Sequence, residues 1–260
     1  MPTLSIIIPV YNEGRLICQV IEEVLKADAL GLKKEIIVVD DGSTDGTVSN
    51  VKSLLMRHSR ENGNLHNKRM DPRVKPEDDV SVSIKLIFNK KNEGKGAALK
   101  TGFKKATGEI LMVQDADMEY TVKDYPALLS PFMKDTAQVV YGSRNKKREN
   151  FHNRYSYFIF YLGGLLLTWF INMLYGLKLS DQPTGYKLFS SKVKPLLLKP
   201  KENRFSYEVA ITAILAKQHI PFIEIPIHYK PRTMEEGKKI NMMDFFKSLV
   251  VAIKYKFLDF

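Results

Sequence analysis

The sequence predicts an α/β fold with a mostly parallel sheet and flanking helices. Strand and helix signals alternate through the first 143 residues, the signature of crossover units. The apolar runs are short, as expected for strands buried on both faces. Each run closes in polar, Gly-rich or acidic residues, and open parallel sheets bind ligands at such carboxyl ends. A chain of 260 residues, 44% hydrophobic and 27% charged, suits one large domain or a domain with an appendage.

Residues 4–10 read as the first strand. The preceding residues lack a basic region and the run breaks at Pro9, which fits a strand rather than a secretory signal. Residues 15–27 place Leu16, Ile17, Val20, Ile21, Val24 and Leu25 at helical spacing. Cys18, the one cysteine, is read as core; a single thiol excludes a disulfide framework and suits a reducing compartment. Residues 35–39 form the second strand, ending in Asp40-Asp41-Gly42-Ser43, and Thr44 or Asp45 caps a helix over 47–56. Residues 57–80 hold 6 basic and 5 acidic residues without hydrophobic periodicity, and read as a mobile surface insertion. His58 and His66 within it show no metal-ligand spacing. Strands follow at 85–88, 110–114 and 138–141, with helices at 95–106 and 124–133.

The second half differs in charge. Residues 144–260 carry 20 basic against 9 acidic residues, whereas residues 1–143 carry 20 of each. Between Arg154 and Lys178 lie 23 residues with no charged side chain, long enough for a membrane span. Ser156, Thr168, Asn172, Gly163-Gly164 and scattered aromatics argue against two narrow interfacial belts, so an interfacial or re-entrant element is favoured, with a buried helix pair and a true span as the other readings. The tail places Met242, Phe245, Phe246, Leu249, Val250, Ile253 and Phe257 at helical spacing among Lys247, Lys254 and Lys256. It reads equally as a membrane-surface helix or one packed on the domain. Nucleic acid is disfavoured, because the basic residues border an apolar segment instead of forming a face with interleaved stacking aromatics. The expected organisation is a main domain over 1–232, with an acceptor or membrane-interface element at 144–178, and a donor loop plus amphipathic helix over 233–260.

Gln114-Asp-Ala-Asp117 closes the strand at 110–114. Taken alone, two acids one residue apart also describe a turn cap; at a strand end they can converge on one hard cation. In register with them stand Ile8-Pro-Val-Tyr-Asn-Glu13, Val39-Asp-Asp-Gly-Ser-Thr-Asp45 and Asn92-Glu-Gly-Lys-Gly-Ala97. Together these motifs resemble the family 2, GT-A fold glycosyltransferases. Further along, Gly142-Ser-Arg144, Ser180-Asp-Gln-Pro-Thr-Gly-Tyr-Lys-Leu-Phe189, Phe205-Ser-Tyr-Glu208, Glu224-Ile-Pro-Ile227 and the stretch from Arg232 to Ile240 are similar to the dolichyl- and polyprenyl-phosphate sugar transferases.

The resemblance implies a GT-A (Rossmann-like) sheet with C-terminal interfacial helices and a metal-dependent, inverting hexosyl transfer from a UDP- or GDP-sugar to a polyprenyl phosphate. It implies that Pro9, Tyr11, Glu13, Asp40 and Asp41 hold the nucleoside and that Lys95 lies near the base or diphosphate. Asp115 and Asp117 would hold Mg²⁺ or Mn²⁺ and neutralise the leaving nucleotide. Arg232, Lys238 and Lys239 would fold over the donor. Arg144, Lys146, Lys147, Arg148 and Arg154 precede the apolar segment; Arg144 and Arg154 are the expected acceptor-phosphate ligands. Asp117, Arg144 and Asp181 are the expected catalytic residues, Asp181 as a base or a positioning acid. A phosphate monoester is already ionised near neutral pH, so a strong base is less needed. Two departures stand out. Glu119 occupies a place where some mannosyl enzymes carry Gln or His, and many relatives carry C-terminal transmembrane helices that this sequence does not show. The expectation is peripheral attachment at the cytoplasmic membrane face, directly or through a separate anchoring subunit. The alternatives are a saccharide or protein acceptor, or a non-catalytic binding protein that recruits partners to a membrane.

Overall fold

A computed structural model describes residues 2–68, 82–146, 158–232 and 242–258. Its strands are β1 (Thr3–Val10), β2 (Lys33–Asp40), β3 (Ser83–Phe88), β4 (Ile110–Val113), β5 (Val139–Ser143), β6 (Lys187–Ser190) and β7 (Phe222–Pro226). They form one sheet in the order β3-β2-β1-β4-β6-β5-β7, with β6 antiparallel to both of its neighbours and the other pairings parallel.

The unbroken apolar runs follow from helices on both faces, because successive strand residues point to opposite sides. Ile6, Ile8, Ile36 and Val38 pack on one side with Val20, Ile21 and Val24 of α1 (Ile17–Lys26), Val51 and Leu54 of α2 (Thr47–Lys68), and Leu128 and Leu129 of α4 (Tyr125–Met133). Ile7, Ile37 and Val39 pack on the other side with Leu99 and Phe103 of α3 (Lys95–Lys105), Leu197 of α6 (Lys194–Leu197) and Tyr207 and Ile211 of α7 (Ser206–Lys217). A third cluster joins Leu167 and Ile171 of α5 (Phe158–Tyr175), Val209 and Ile214 of α7, and Val251, Ala252 and Tyr255 of α8 (Met242–Phe257).

Several elements depart from the sequence expectation, which placed no element at α6, α7 or β7. Helix α2 runs to Lys68, well past residue 56. Residues 57–68 contain no proline and carry no apolar stripe, so their polar composition concealed a helix already nucleated by the packed turns at Val51 and Leu54. The rest of the expected insertion, residues 69–80, lies outside the described residues. Strand β6 was not anticipated: four residues within a longer motif insert between β4 and β5, pairing Met112 and Val140 with Leu188. The apolar segment forms a single helix, α5, rather than a buried pair. Its Leu167 and Ile171 are buried, while Trp169 and Met173 face outward. Among the described residues, no helix is long and apolar enough to cross a membrane.

Candidate active site

The loops after β1, β2, β4 and β5 converge on a cavity of about 830 Å³. At the end of β1, Asn12 takes a left-handed conformation (φ 50°). Its backbone N–H donates to Ser43 Oγ (2.8 Å), and its side-chain oxygen accepts from the Thr44 backbone N–H (2.9 Å), so the β1 and β2 loops brace each other. Pro9, Tyr11, Glu13 and Asp41 line the cavity. The Asp41 carboxylate accepts from the backbone N–H of Gly94 (2.6 Å) and of Glu93 (3.1 Å) and from Asn89 Nδ2 (2.9 Å), which pins the loop leading into α3. Gly94 sits at φ +107°, and a side chain there would meet Asn203 O at 2.6 Å. Asp41 therefore positions Lys95 at the start of α3. Asp40 is not brought to the cavity: it is buried and accepts from the Ser43 backbone N–H (3.1 Å), the turn-holding role open to the first acid of such a loop.

Beyond β4, Gln114 Oε1 accepts from the hydroxyls of Tyr125 (2.8 Å) and Tyr186 (2.9 Å), and its amide donates to Asp115 O (2.9 Å). This anchor turns Asp115 and Asp117 into the cavity. Loop 180–186, delivered by β6, presses against them, and a Cβ on Gly185 would stand 2.3 Å from Asp115 Oδ2. Burial, reinforced by the charges of Asp115 and Glu119, pushes the Asp117 carboxyl up to about 7 against the opposing pull of Arg232. Such crowded acids fit a divalent cation. No cluster of three or more His, Cys, Asp or Glu side chains among the described residues is arranged to cage an ion alone. Two carboxylates with phosphate and water completing the shell are a donor set that Mg²⁺ accepts.

Cations surround the acids. Lys95 Nζ lies 2.7 Å from Asp115 Oδ1 and 3.3 Å from Glu208 Oε1. Burial opposes its charge, but Asp115 and Glu208 outweigh burial and raise its affinity for the proton. Arg232 forms a fork on Glu13 (3.0 and 3.1 Å), while its Nε donates to Asp117 O (2.8 Å) and its backbone N–H to Glu119 Oε1 (2.8 Å). Glu119 Oε2 also accepts from the Tyr229 hydroxyl (2.9 Å), so Glu119 ties the segment from Tyr229 to Arg232 to the loop after β4. Arg144 engages both oxygens of buried Asp181: its backbone N–H and Nε donate to Oδ2 (both 2.8 Å), and Nη2 to Oδ1 (2.7 Å). Its guanidinium lies 5.0 Å from the Tyr229 ring centre. With both oxygens so engaged, Asp181 holds Arg144 in place. This favours the positioning half of the sequence expectation over the base.

Sequence reasoning left out several contributors. Glu224 accepts from the Ser180 backbone N–H and Oγ and the Asp181 backbone N–H, and pairs with Lys146 at 3.1 Å, bracing the loop that carries Asp181. Glu208 and fully buried Lys187 back Lys95, and Gly185 makes room for Asp115. An acid within the otherwise apolar face of α7 was the available signal for Glu208, since such residues are rarely buried unpaired. Arg154, Lys147, Arg148, Lys238 and Lys239 lie outside the described residues.

A model described as Glycosyl transferase family 2 matches residues 5–70 and 77–192. The chain belongs to this family. The family 2 chain is 30% identical over 263 residues to the UDP-N-acetylglucosamine--dolichyl-phosphate N-acetylglucosaminyltransferase of Methanococcus voltae, covering 98% of each protein. It is 25% identical to the dolichyl-phosphate beta-glucosyltransferase of Dictyostelium discoideum over 280 residues, covering 98% of this chain and 75% of that one. The dodecaprenyl-phosphate galacturonate synthase of Rhizobium johnstonii is 23% identical over 204 residues, 78% of this chain and 52% of its own length. In fold, this glycosyltransferase resembles the glucosyl-3-phosphoglycerate synthase of Mycobacterium tuberculosis, solved with Mg²⁺ and UDP, with a TM-score of 0.67, 16% identity, and coverage of 100% of this chain and 81% of that chain. That likeness places the fold in the GT-A class.

Proposed function

We propose that this family 2 glycosyltransferase moves a hexose from a nucleoside diphosphate sugar to a polyprenyl phosphate, with inversion, while resting on a membrane surface. The observation that carries the reading is the composition of one cavity. Its lining combines Asp115, Asp117, Lys95, Arg144 and Arg232 with apolar side chains, among them Phe160 and Leu167 of α5 and Met242 and Phe245 of α8. A charged donor and an acceptor with a phosphate head and hydrocarbon tail require such a pairing. Dolichyl-phosphate substrates in the names of the relatives agree with it.

A divalent cation on Asp115 and Asp117 would supply charge neutralisation for the departing diphosphate. The chain's own residues do the rest. Arg232, forked on Glu13, closes the donor site beside Asp117 and adds positive charge there. Arg144, oriented by Asp181, presents a guanidinium to the same cavity, suited to an acceptor phosphate. An oxygen of the phosphate monoester attacks the anomeric carbon from the face opposite the diphosphate; the new C–O bond forms as the old one breaks, and the nucleoside diphosphate leaves with the electron pair. No proton need be removed from a monoester ionised with a pKa near about 6.

Support for a peripheral membrane position comes from the outward apolar residues of α5 and α8, with Trp169 62% and Val250 64% exposed, beside Lys247, Lys254 and Lys256. The test incubates the enzyme with Mn²⁺, labelled nucleotide sugars and vesicles containing polyprenyl phosphate. Label in a mild-acid-labile, organic-extractable product is expected with at least one donor. Label that stays in aqueous saccharide or protein with every productive donor contradicts the acceptor assignment. Enzyme that makes the product in detergent but fails to float with vesicles would instead require a separate anchoring subunit.

A further inference from the structure

Behind the acidic pair, four charges follow one another: Asp115, Lys95, Glu208 and Lys187. Lys95 Nζ stands 2.7 Å from Asp115 Oδ1 and 3.3 Å from Glu208 Oε1, and Lys187 Nζ stands 3.7 Å from the same Glu208 oxygen. Glu208 Oε1 is buried and accepts no hydrogen bond, although it lies between two ammonium groups. Lys187 is fully buried and donates to Thr184 O. The helix starts hold this arrangement. Lys95 opens α3 and Glu208 lies in the first turn of α7, and the two helices abut so closely that a Cβ on Gly96 would meet Tyr207 Cβ at 2.5 Å.

Asp115 Oδ1, on one of the two carboxylates that would hold a divalent ion, thus already carries an internal cation. Coordination distances for hard cations are about 2.0–2.6 Å. A lysine ammonium hydrogen-bonded to the same carboxylate oxygen would crowd and repel an ion at that distance. Withdrawal of Lys95 from Asp115 would free that oxygen for the ion, and an ammonium released inside a protein needs another acceptor. We propose that Glu208 is that acceptor: a positioning residue that takes over Lys95 when the site would be loaded, so that Nζ, already 3.3 Å from Glu208 Oε1, moves from Asp115 to make its hydrogen bond there. Lys187 Nζ, 3.7 Å from the same oxygen, is a second ammonium facing Glu208. The four residues form a relay in which the ion displaces an ammonium instead of entering a bare acidic site. This inference rests on the cation-dependent reading above.

The test measures Mn²⁺ affinity without donor, by the electron paramagnetic resonance signal of the free ion, in a double-mutant cycle. Lys95→Met should tighten Mn²⁺ binding, since the competing ammonium is gone. Glu208→Gln should weaken it about tenfold in the native background, because Lys95 is left with Asp115 alone, but by no more than about threefold in the Lys95→Met background. Equal losses in both backgrounds, or no loss in the native one, would overturn the role of Glu208 while leaving cation dependence intact. Native enzyme that binds no Mn²⁺ even with UDP or GDP present would overturn both. Thermal unfolding confirms that each variant is folded. Should Glu208→Gln not fold, Glu208→Asp, which keeps the charge but withdraws it by one methylene, is read in the same cycle with the same two outcomes.

Discussion

Asp117 is the residue at which structure, charge and chemistry meet. Its carboxyl titrates at about 7 against an ordinary 3.8, through burial first and the neighbouring acids second. In the ion-free protein, the stabilising protonated form is complete below the unfolded value and is lost as pH rises through the folded one. Stability should therefore fall between about pH 4 and pH 7 for this group. Thermal unfolding of the ion-free enzyme should show that fall, Mn²⁺ should offset it, and Asp117→Asn should flatten it while abolishing transfer. A steeper fall in the variant would contradict the assignment. Gly185→Ala drives a methyl into Asp115 Oδ2 and should cost about 1–3 kcal/mol of stability with a matching loss of cation affinity, measured by denaturant unfolding and calorimetry. Asp181→Asn separates its two proposed roles. A residue that only orients Arg144 should lower kcat about 10–100-fold and leave the acidic limb of the pH–rate profile in place, whereas loss of a base would remove that limb. At this scale, the acids of short motifs were legible because their neighbours in sequence are also neighbours in the site. Glu208 and Lys187 were not, since their partners arrive from other elements, and Asp40 was misplaced because adjacent acids in one turn can point into protein or into a cavity.

Helices α5 and α8 are the elements whose function depends most on how they are packed. Helix α8 buries Val251, Ala252 and Tyr255 and is fastened by Lys254 to Glu202 at 2.8 Å, with the Tyr255 hydroxyl donating to the same carboxylate. Its opposite face shows Phe246, Val250, Ile253 and Phe257 outward. The packed face agrees with the reading of the tail as a helix on the domain, and the outward apolar face is the one a membrane contact would use. Val250→Glu should leave stability within about 0.5 kcal/mol, as surface substitutions do. It should also reduce flotation with anionic vesicles and the yield of lipid-linked sugar while donor binding holds. Unchanged flotation would remove α8 from the membrane contact. The strands were legible because doubly buried runs are continuous and short. The far half of α2 was hidden by its polarity, and β6 by the fact that insertion between two strands is a property of topology, which leaves no local periodicity.

Across the molecule, the division into a neutral first half and a second half with 20 basic and 9 acidic residues suggested a donor site followed by an acceptor site. The fold mixes them. Arg232 reaches back to Glu13, Glu208 meets Lys95, and Gly185 packs on Asp115, so the proposed donor site draws on the second half. Strand β6 makes this possible by carrying loop 180–186 to the end of β4. Composition revealed the charge asymmetry but not that antiparallel return. The most direct measurement is ³¹P and ¹H nuclear magnetic resonance of the material formed from a nucleotide hexose, Mn²⁺ and a polyprenyl phosphate. The expected result is conversion of the lipid phosphomonoester signal to a phosphodiester bearing an inverted anomeric centre, absent with Asp117→Ala. A monoester signal that persists while the nucleotide sugar is consumed would contradict transfer to the lipid phosphate.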